Sequence, residues 1–144
     1  MASEIAIRLA LIGQFPGLAQ SQFDITSNPD PFYNCIAWAA GRMDRFWWPG
    51  HFWPKGAPKK VTRASFISAF ESIGYDVCGG PELENGFEKV MIYECNGEPT
   101  HAARLLADGR WTSKLGSSHD IAHTIDSLNG AIYGTPALFM RRPI

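Results

Sequence analysis

The stretch THAARLLADGRWTSKLG, residues 100–116, holds two short apolar or alternating runs, HAARLLA and RWTSKLG, joined by ADGR. Asp-Gly between such runs favours a tight turn whose twist matches paired strands, so a β-hairpin is expected with its turn at Asp108-Gly109. Upstream, EKVMIYEC (88–95) has the same character, and a three-stranded antiparallel sheet is implied. A last strand is expected within IYGTPALFM, 132–140. Between them, SSHDIAHTIDSLNG (117–130) spaces Ile121, Ile125 and Leu128 on one helical face and ends in Asn129-Gly130, which predicts a helix.

Toward the N-terminus the period lengthens. A helix is expected near residues 3–13, with Ile5, Leu9 and Ile12 as its stripe. The segment SQFDITSNPDPFY (21–33) reads as loop, with turn signals at Asn28-Pro29 and Asp30-Pro31. A second helix starts at Cys35, capped by Asn34, with Ile36, Ala39, Ala40 and Met43 on one face. In RFWWPGHFWP (45–54) the prolines and glycine exclude a regular element while five of ten residues are aromatic; it is read as a cluster folded onto the core, or as a groove wall or partner surface that includes Trp47, Trp48 and Trp53. A third helix is expected over 62–73, with Phe66, Phe70 and Ile73 inward and Gly74 as its stop. The class is α+β, helices first and sheet second, in a single domain spanning 1–144.

Composition bounds the function. A chain of 144 residues, 45% hydrophobic and 19% charged, suits one domain with a real core. Thirteen basic against fourteen acidic residues give a formal net charge of -1, which implies no attraction to nucleic acid or to an anionic membrane. Three cysteines cannot all pair within the chain and lack CxxC spacing, which fits a reducing cytosol. The apolar N-terminal segment is interrupted by Glu4 and Arg8 and shows no cleavage site, and no apolar run has the length of a membrane span. A cytoplasmic location is expected, with secretion as an effector left open.

The chemistry centres on Cys35. At the first turn of a helix, unpaired N–H groups and the macrodipole favour a thiolate and can hold an oxyanion, although an unpaired cysteine is most often a small buried hydrophobe. His101, at the start of a strand well downstream, stands where a general base can face a cleft. Cysteine on an early helix followed by histidine on a later strand is the order of a papain-like site. His119 and His123 form an HxxxH pair, but without a third ligand no metal is expected, and no cofactor is implied. Ser113 and Lys114, as neighbours on a strand, point to opposite faces and do not form a Ser-Lys nucleophile. Cys78 and Cys95 have no helix terminus to acidify them and are read as structural.

The segments YNCIAWAAG and THAARLLADGRWTSKLG resemble the compact papain-like cysteine hydrolases, including the NlpC-type endopeptidases and CHAP amidases, and are also similar to a group of small bacterial proteins carrying NCIAWA and WTSKLG. The resemblance implies a papain-like fold with N-terminal helices packed on a small antiparallel sheet. It also implies Cys35 as nucleophile, His101 as base and Ser113, on the next strand, as the residue orienting the imidazole. Asp120 and His123 are alternatives for the orienting role. Asn28, Tyr33 and Asn34 are the side chains expected near the oxyanion or substrate. NCIAWAAG stands where NlpC proteins carry Asp-Cys-Ser-Gly, and a serine stands where they carry His, Asn or an acid. The implied activity is that of a cysteine peptidase or amidase acting on a peptide or protein amide through a thioester, in a chain whose compactness suits a toxin or effector. The other reading is a papain-like module without catalysis that binds a protein partner through its aromatic loop.

Overall fold

Seven strands form one antiparallel sheet in the computed structural model, which describes residues 3–144: β1 (Asp24–Ile25), β2 (Asp76–Cys78), β3 (Phe87–Cys95), β4 (Glu98–Leu105), β5 (Trp111–Lys114), β6 (Asp120–His123) and β7 (Thr135–Pro143). Their order across the sheet is β1-β6-β5-β4-β3-β7-β2. The expected hairpin forms, with Arg104 opposite Thr112 and Leu105 opposite Trp111. Its turn closes through the Leu106 N–H on the Arg110 carbonyl (2.7 Å) and the Arg110 N–H on Asp108 Oδ1 (2.9 Å). The β3–β4 connection turns at Asn96 and Gly97, both with positive φ (54° and 80°), the conformation that makes Asn-Gly the preferred two-residue hairpin turn.

The helix expected over 117–130 is not present. Residues 120–123 form β6, every one of them buried, paired to β5 with Ser113 opposite Ile121 and Trp111 opposite His123. With both faces of β6 covered, strand alternation is invisible in the sequence. The helical spacing of Ile121, Ile125 and Leu128 arises because the turns after β6 fold Ile125 and Leu128 back onto the same core as Ile121.

The sheet separates two apolar cores. On one face lie α2 (Cys35–Ala39) and α3 (Arg63–Glu71), over Val90, Ile92, Ala102 and Met140. Asn34 caps α2 by accepting the Ala37 N–H at 3.2 Å, and Thr62 caps α3 in the same way at Ser65. The α2 helix is shorter than expected: it ends at Ala39, Gly41 follows with positive φ, and Met43 lies exposed beyond it. On the other face, α1 (Glu4–Gln14) and a 3-10 turn (Pro16–Gln20) cover Met91, Tyr93, Ala103 and Trp111. The expected stripe of α1 is corrected as well: Ile5 and Leu9 are exposed at 71% and 63%, and Leu11, with Ile7 and Ile12, packs inward. Among the described residues no helix is long and apolar enough to cross a membrane.

Candidate active site

Cys35 opens α2 at the floor of a cleft of about 440 Å³, walled by Phe46, Trp48, His51, Thr100 and Tyr133. The aromatic wall exists because Trp48-Pro49-Gly50-His51 makes a turn, with Gly50 at φ 97° and the His51 N–H on the Trp48 carbonyl at 2.9 Å. Asn34 fastens that loop to the helix: its Oδ1 accepts the Trp47 N–H (2.9 Å) and its Nδ2 donates to the Trp47 carbonyl (2.8 Å). Cys35 is 7% exposed. Burial raises its pKa to about 11, against the downward pull of the Ala102, Ile36 and Cys35 N–H groups. The helix start therefore does supply N–H groups to the sulfur, but desolvation outweighs them and the expected acidification is not met.

On the α1 side of the sheet runs a line of buried polar side chains. His101 on β4, Ser113 on β5 and His123 on β6 project from the same face of three adjacent strands. His101 Nε2 lies 3.0 Å from Ser113 Oγ, Ser113 Oγ lies 2.7 Å from His123 Nε2, and His123 Nδ1 lies 2.7 Å from the Thr124 carbonyl. A carbonyl only accepts, so His123 carries its proton on Nδ1 and its Nε2 accepts from the serine hydroxyl. The serine oxygen then accepts from His101, whose proton sits on Nε2. The Nδ1 of His101 is left as a bare lone pair, buried and without a hydrogen-bond partner. Burial holds both imidazoles neutral: the pKa of His101 is well below the usual value, from burial first and then from His123, and that of His123 falls to about 4.

Tyr133 joins the two halves. Its ring stacks on the His101 imidazole with centroids 3.9 Å apart and planes 14° apart, and it also lines the Cys35 cleft. The backbone of Ala102, the residue after His101, reaches the Cys35 sulfur. Tyr133 thus touches both the thiol cleft and the imidazole, whereas Cys35 lies on the α2 side of the sheet and His101, with Tyr93 and Ser113, on the α1 side. This arrangement offers a thiol in a recess and a neutral imidazole with one unshared lone pair, held in a single tautomer by a relay ending on a backbone carbonyl.

The remaining expected residues are placed as follows. Asn28 is exposed in the loop before α2, and its carbonyl accepts from the Ser27 hydroxyl. Tyr33 is buried and donates to Asp120 Oδ2 at 2.8 Å; burial, then this bond, raises its phenol to about 12. Asn34 borders the cleft, but its amide is committed to Ala37 and Trp47. Of the three tryptophans only Trp48 lines the cleft; Trp47 is in the core, and the Trp53 indole donates to the Pro58 carbonyl at 3.0 Å. Asp120 starts a strand instead of capping a helix, and with Tyr33 it belongs to the α2 side of the sheet, while His123 takes the place behind Ser113. Lys114 points to that same α2 side, its Nζ 4.7 Å from the centre of the Tyr33 ring, opposite to Ser113 as strand alternation requires. His119 and His123 are not on a helix, and among the described residues no three His, Cys, Asp or Glu side chains converge. Phe46, His51, Thr100 and Tyr133 were not singled out from the sequence; the Tyr-Gly pair at 133–134, inside an apolar run, is the one signal that marked a special backbone there.

Residues 24–141 match the family model described as Domain of unknown function (DUF7689), and the chain belongs to that family. No curated protein and no solved structure matches it.

Proposed function

We propose that this member of the DUF7689 family is a cysteine-dependent hydrolase or acyltransferase that cleaves a peptide or other amide bond, with Cys35 as nucleophile and His101 as base. The observation that carries the reading is the tautomer of His101. A relay through Ser113 and His123 to the Thr124 carbonyl keeps its proton on Nε2 and its lone pair on Nδ1, and its ring is stacked on Tyr133, which lines the thiol cleft. The order of nucleophile on a helix start, base on a strand and polar residue on the next strand supports a papain-like arrangement, with His123 as a fourth member behind the serine.

Both groups are neutral at rest, so His101 acts as a general base during attack and not as a preformed ion-pair partner. The thiol and Nδ1 share no hydrogen bond at rest, so in this reading they close on each other when substrate binds, and the thiol proton then passes to His101 Nδ1 as sulfur bonds to the carbonyl carbon. Ser113 continues to accept from Nε2–H, and the stacked face of Tyr133 favours the imidazolium that forms. The same proton then goes to the departing amine, and water or an amine resolves the thioester.

Turnover of a mixture of fluorogenic peptide amides tests this. Loss of at least about 10²-fold in both Cys35→Ala and His101→Ala, with unchanged circular dichroism, is expected for residues that act as one unit. If instead the wild type binds labelled peptides without turnover, and Cys35→Ala binds them equally well, the chain is a binding module whose aromatic wall does the recognition.

A further inference from the structure

The three side chains expected to support an oxyanion are all engaged elsewhere: Asn28 is exposed in its loop, Tyr33 is bonded to Asp120, and the Asn34 amide is spent on Ala37 and Trp47. We propose that Tyr133 fills this role, its hydroxyl and the Cys35 backbone N–H together holding the oxyanion formed when Cys35 attacks a carbonyl. The assignment rests on the acyl-transfer reading above.

Four contacts fix the residue. Its ring is stacked on His101, and the Thr100 hydroxyl donates to its carbonyl. The flanking turn is closed by a bridge in which Gly130 and Gly134 exchange N–H···O bonds of 3.0 and 2.8 Å. Gly134, at φ 78°, packs so tightly on β3 that a Cβ there would come 1.9 Å from the Glu94 carbonyl oxygen. The ring is thus held before substrate arrives, which is what makes a donor effective toward charge that appears only in the transition state. Among the other hydroxyls of the cleft, that of Thr100 is used and Ser117 lies exposed at the rim.

Tyr133 lines the same cleft as Cys35. Burial, the largest effect, raises the phenol's pKa and keeps it protonated and able to donate; a thiolate at Cys35 adds to the rise and the Gly116 N–H opposes it. As the Cys35–carbon bond forms, the thiol proton moves to His101 Nδ1 and the carbonyl π pair moves to oxygen, where the Tyr133 O–H meets it. Collapse restores the double bond and expels the leaving group with its electron pair.

Two reactions of Cys35 separate this role from a merely structural one. Acylation by p-nitrophenyl acetate passes through an oxyanion and releases p-nitrophenolate without needing a proton; alkylation by iodoacetamide is a direct displacement and forms none. In Tyr133→Phe, which keeps the ring on His101, the burst of p-nitrophenolate should slow by about 10²-fold while Cys35 alkylation changes little. Tyr133→Leu, which also removes the stacked ring, should slow both. An equal fall in the two reactions of Tyr133→Phe, or no fall in either, overturns the assignment. A wild-type protein that is alkylated at Cys35 but never acylated overturns the acyl-transfer reading itself, and this assignment with it.

Discussion

Ser113→Ala removes one hydroxyl and orphans two buried nitrogens. Ser113, His101 and His123 are each 0% exposed, so no solvent takes the place of the lost bonds of 3.0 and 2.7 Å. Each unsatisfied buried partner costs about 1–3 kcal/mol, which puts the variant about 2–4 kcal/mol below wild type even with partial relaxation. Against a domain stability of about 5–15 kcal/mol, a loss of this size moves a urea midpoint visibly. The same change unlocks the His101 tautomer. In a serine-protease triad a wrong tautomer costs about 10⁴ in rate; an imidazole merely freed to choose should lose about 10–10². The two readouts are the urea transition and the acylation burst with p-nitrophenyl acetate, each compared with His123→Ala and with the double variant. Because the two residues share one bond, the double variant should be less destabilised than the sum of the singles. Stability within about 0.5 kcal/mol of wild type together with a full-sized, full-rate burst would refute the relay.

Other outcomes follow from the same geometry. The pKa of His123 is lowered from 6.5 to about 4 in the folded chain, so between these values the unfolded state binds more protons; His123 alone should lower stability by about 3 kcal/mol as pH drops from 6.5 to 4, and His101, also held neutral by burial, adds to the fall, checked by urea titrations across that window. Flat stability over this range in wild type would mean that the ring is not buried neutral. Cys35 alkylation by iodoacetamide, followed peptide by peptide, should keep rising with pH toward about 11; a plateau already reached by pH 6 would mean a thiolate–imidazolium pair at rest. Asn34→Ala breaks the α2 cap and both bonds to Trp47, and should cost about 2–4 kcal/mol while loosening the aromatic wall, seen as a red shift of tryptophan fluorescence. Gly134→Ala forces backbone away from Glu94 and should abolish the burst, with Tyr133 displaced even where the chain still folds; a normal burst and unchanged stability would contradict the packing.

The hairpin at 100–116 was legible because Asp-Gly sits between runs of strand period, and α2 because Asn34 is a strong cap ahead of CIAWA. Both features fix backbone conformation within a few residues, and local sequence carries that information. The β6 strand was not legible: buried on both faces, DIAH shows no alternation, and its apolar spacing mimics a helix. The stripe of α1 was misjudged because which apolar residues of an amphipathic helix turn inward depends on what it packs against, here the side of the sheet carrying Met91 and Tyr93. Of the candidate site, the start of α2 at Cys35 and the adjacency of His101 and Ser113 were legible from order and element type. His123 was named only as an alternative, since its place behind Ser113 depends on β6 being a strand. Tyr133 comes from the far end of the chain and reaches the cleft through the β7 approach, a proximity that no local pattern encodes. The pKa of Cys35 was misjudged for a related reason: a helix start is visible in sequence, whereas the depth of burial is a property of the assembled core.

The protonation state of the two imidazoles tests the central claim most directly. Long-range proton–nitrogen correlation NMR on histidine-labelled protein at neutral pH should find His101 protonated on Nε2 alone, with Nδ1 bare, and His123 protonated on Nδ1 alone, with the His101 pattern lost in Ser113→Ala. A proton on His101 Nδ1 in the wild type, or a doubly protonated His101, would leave Cys35 without a base and contradict the account.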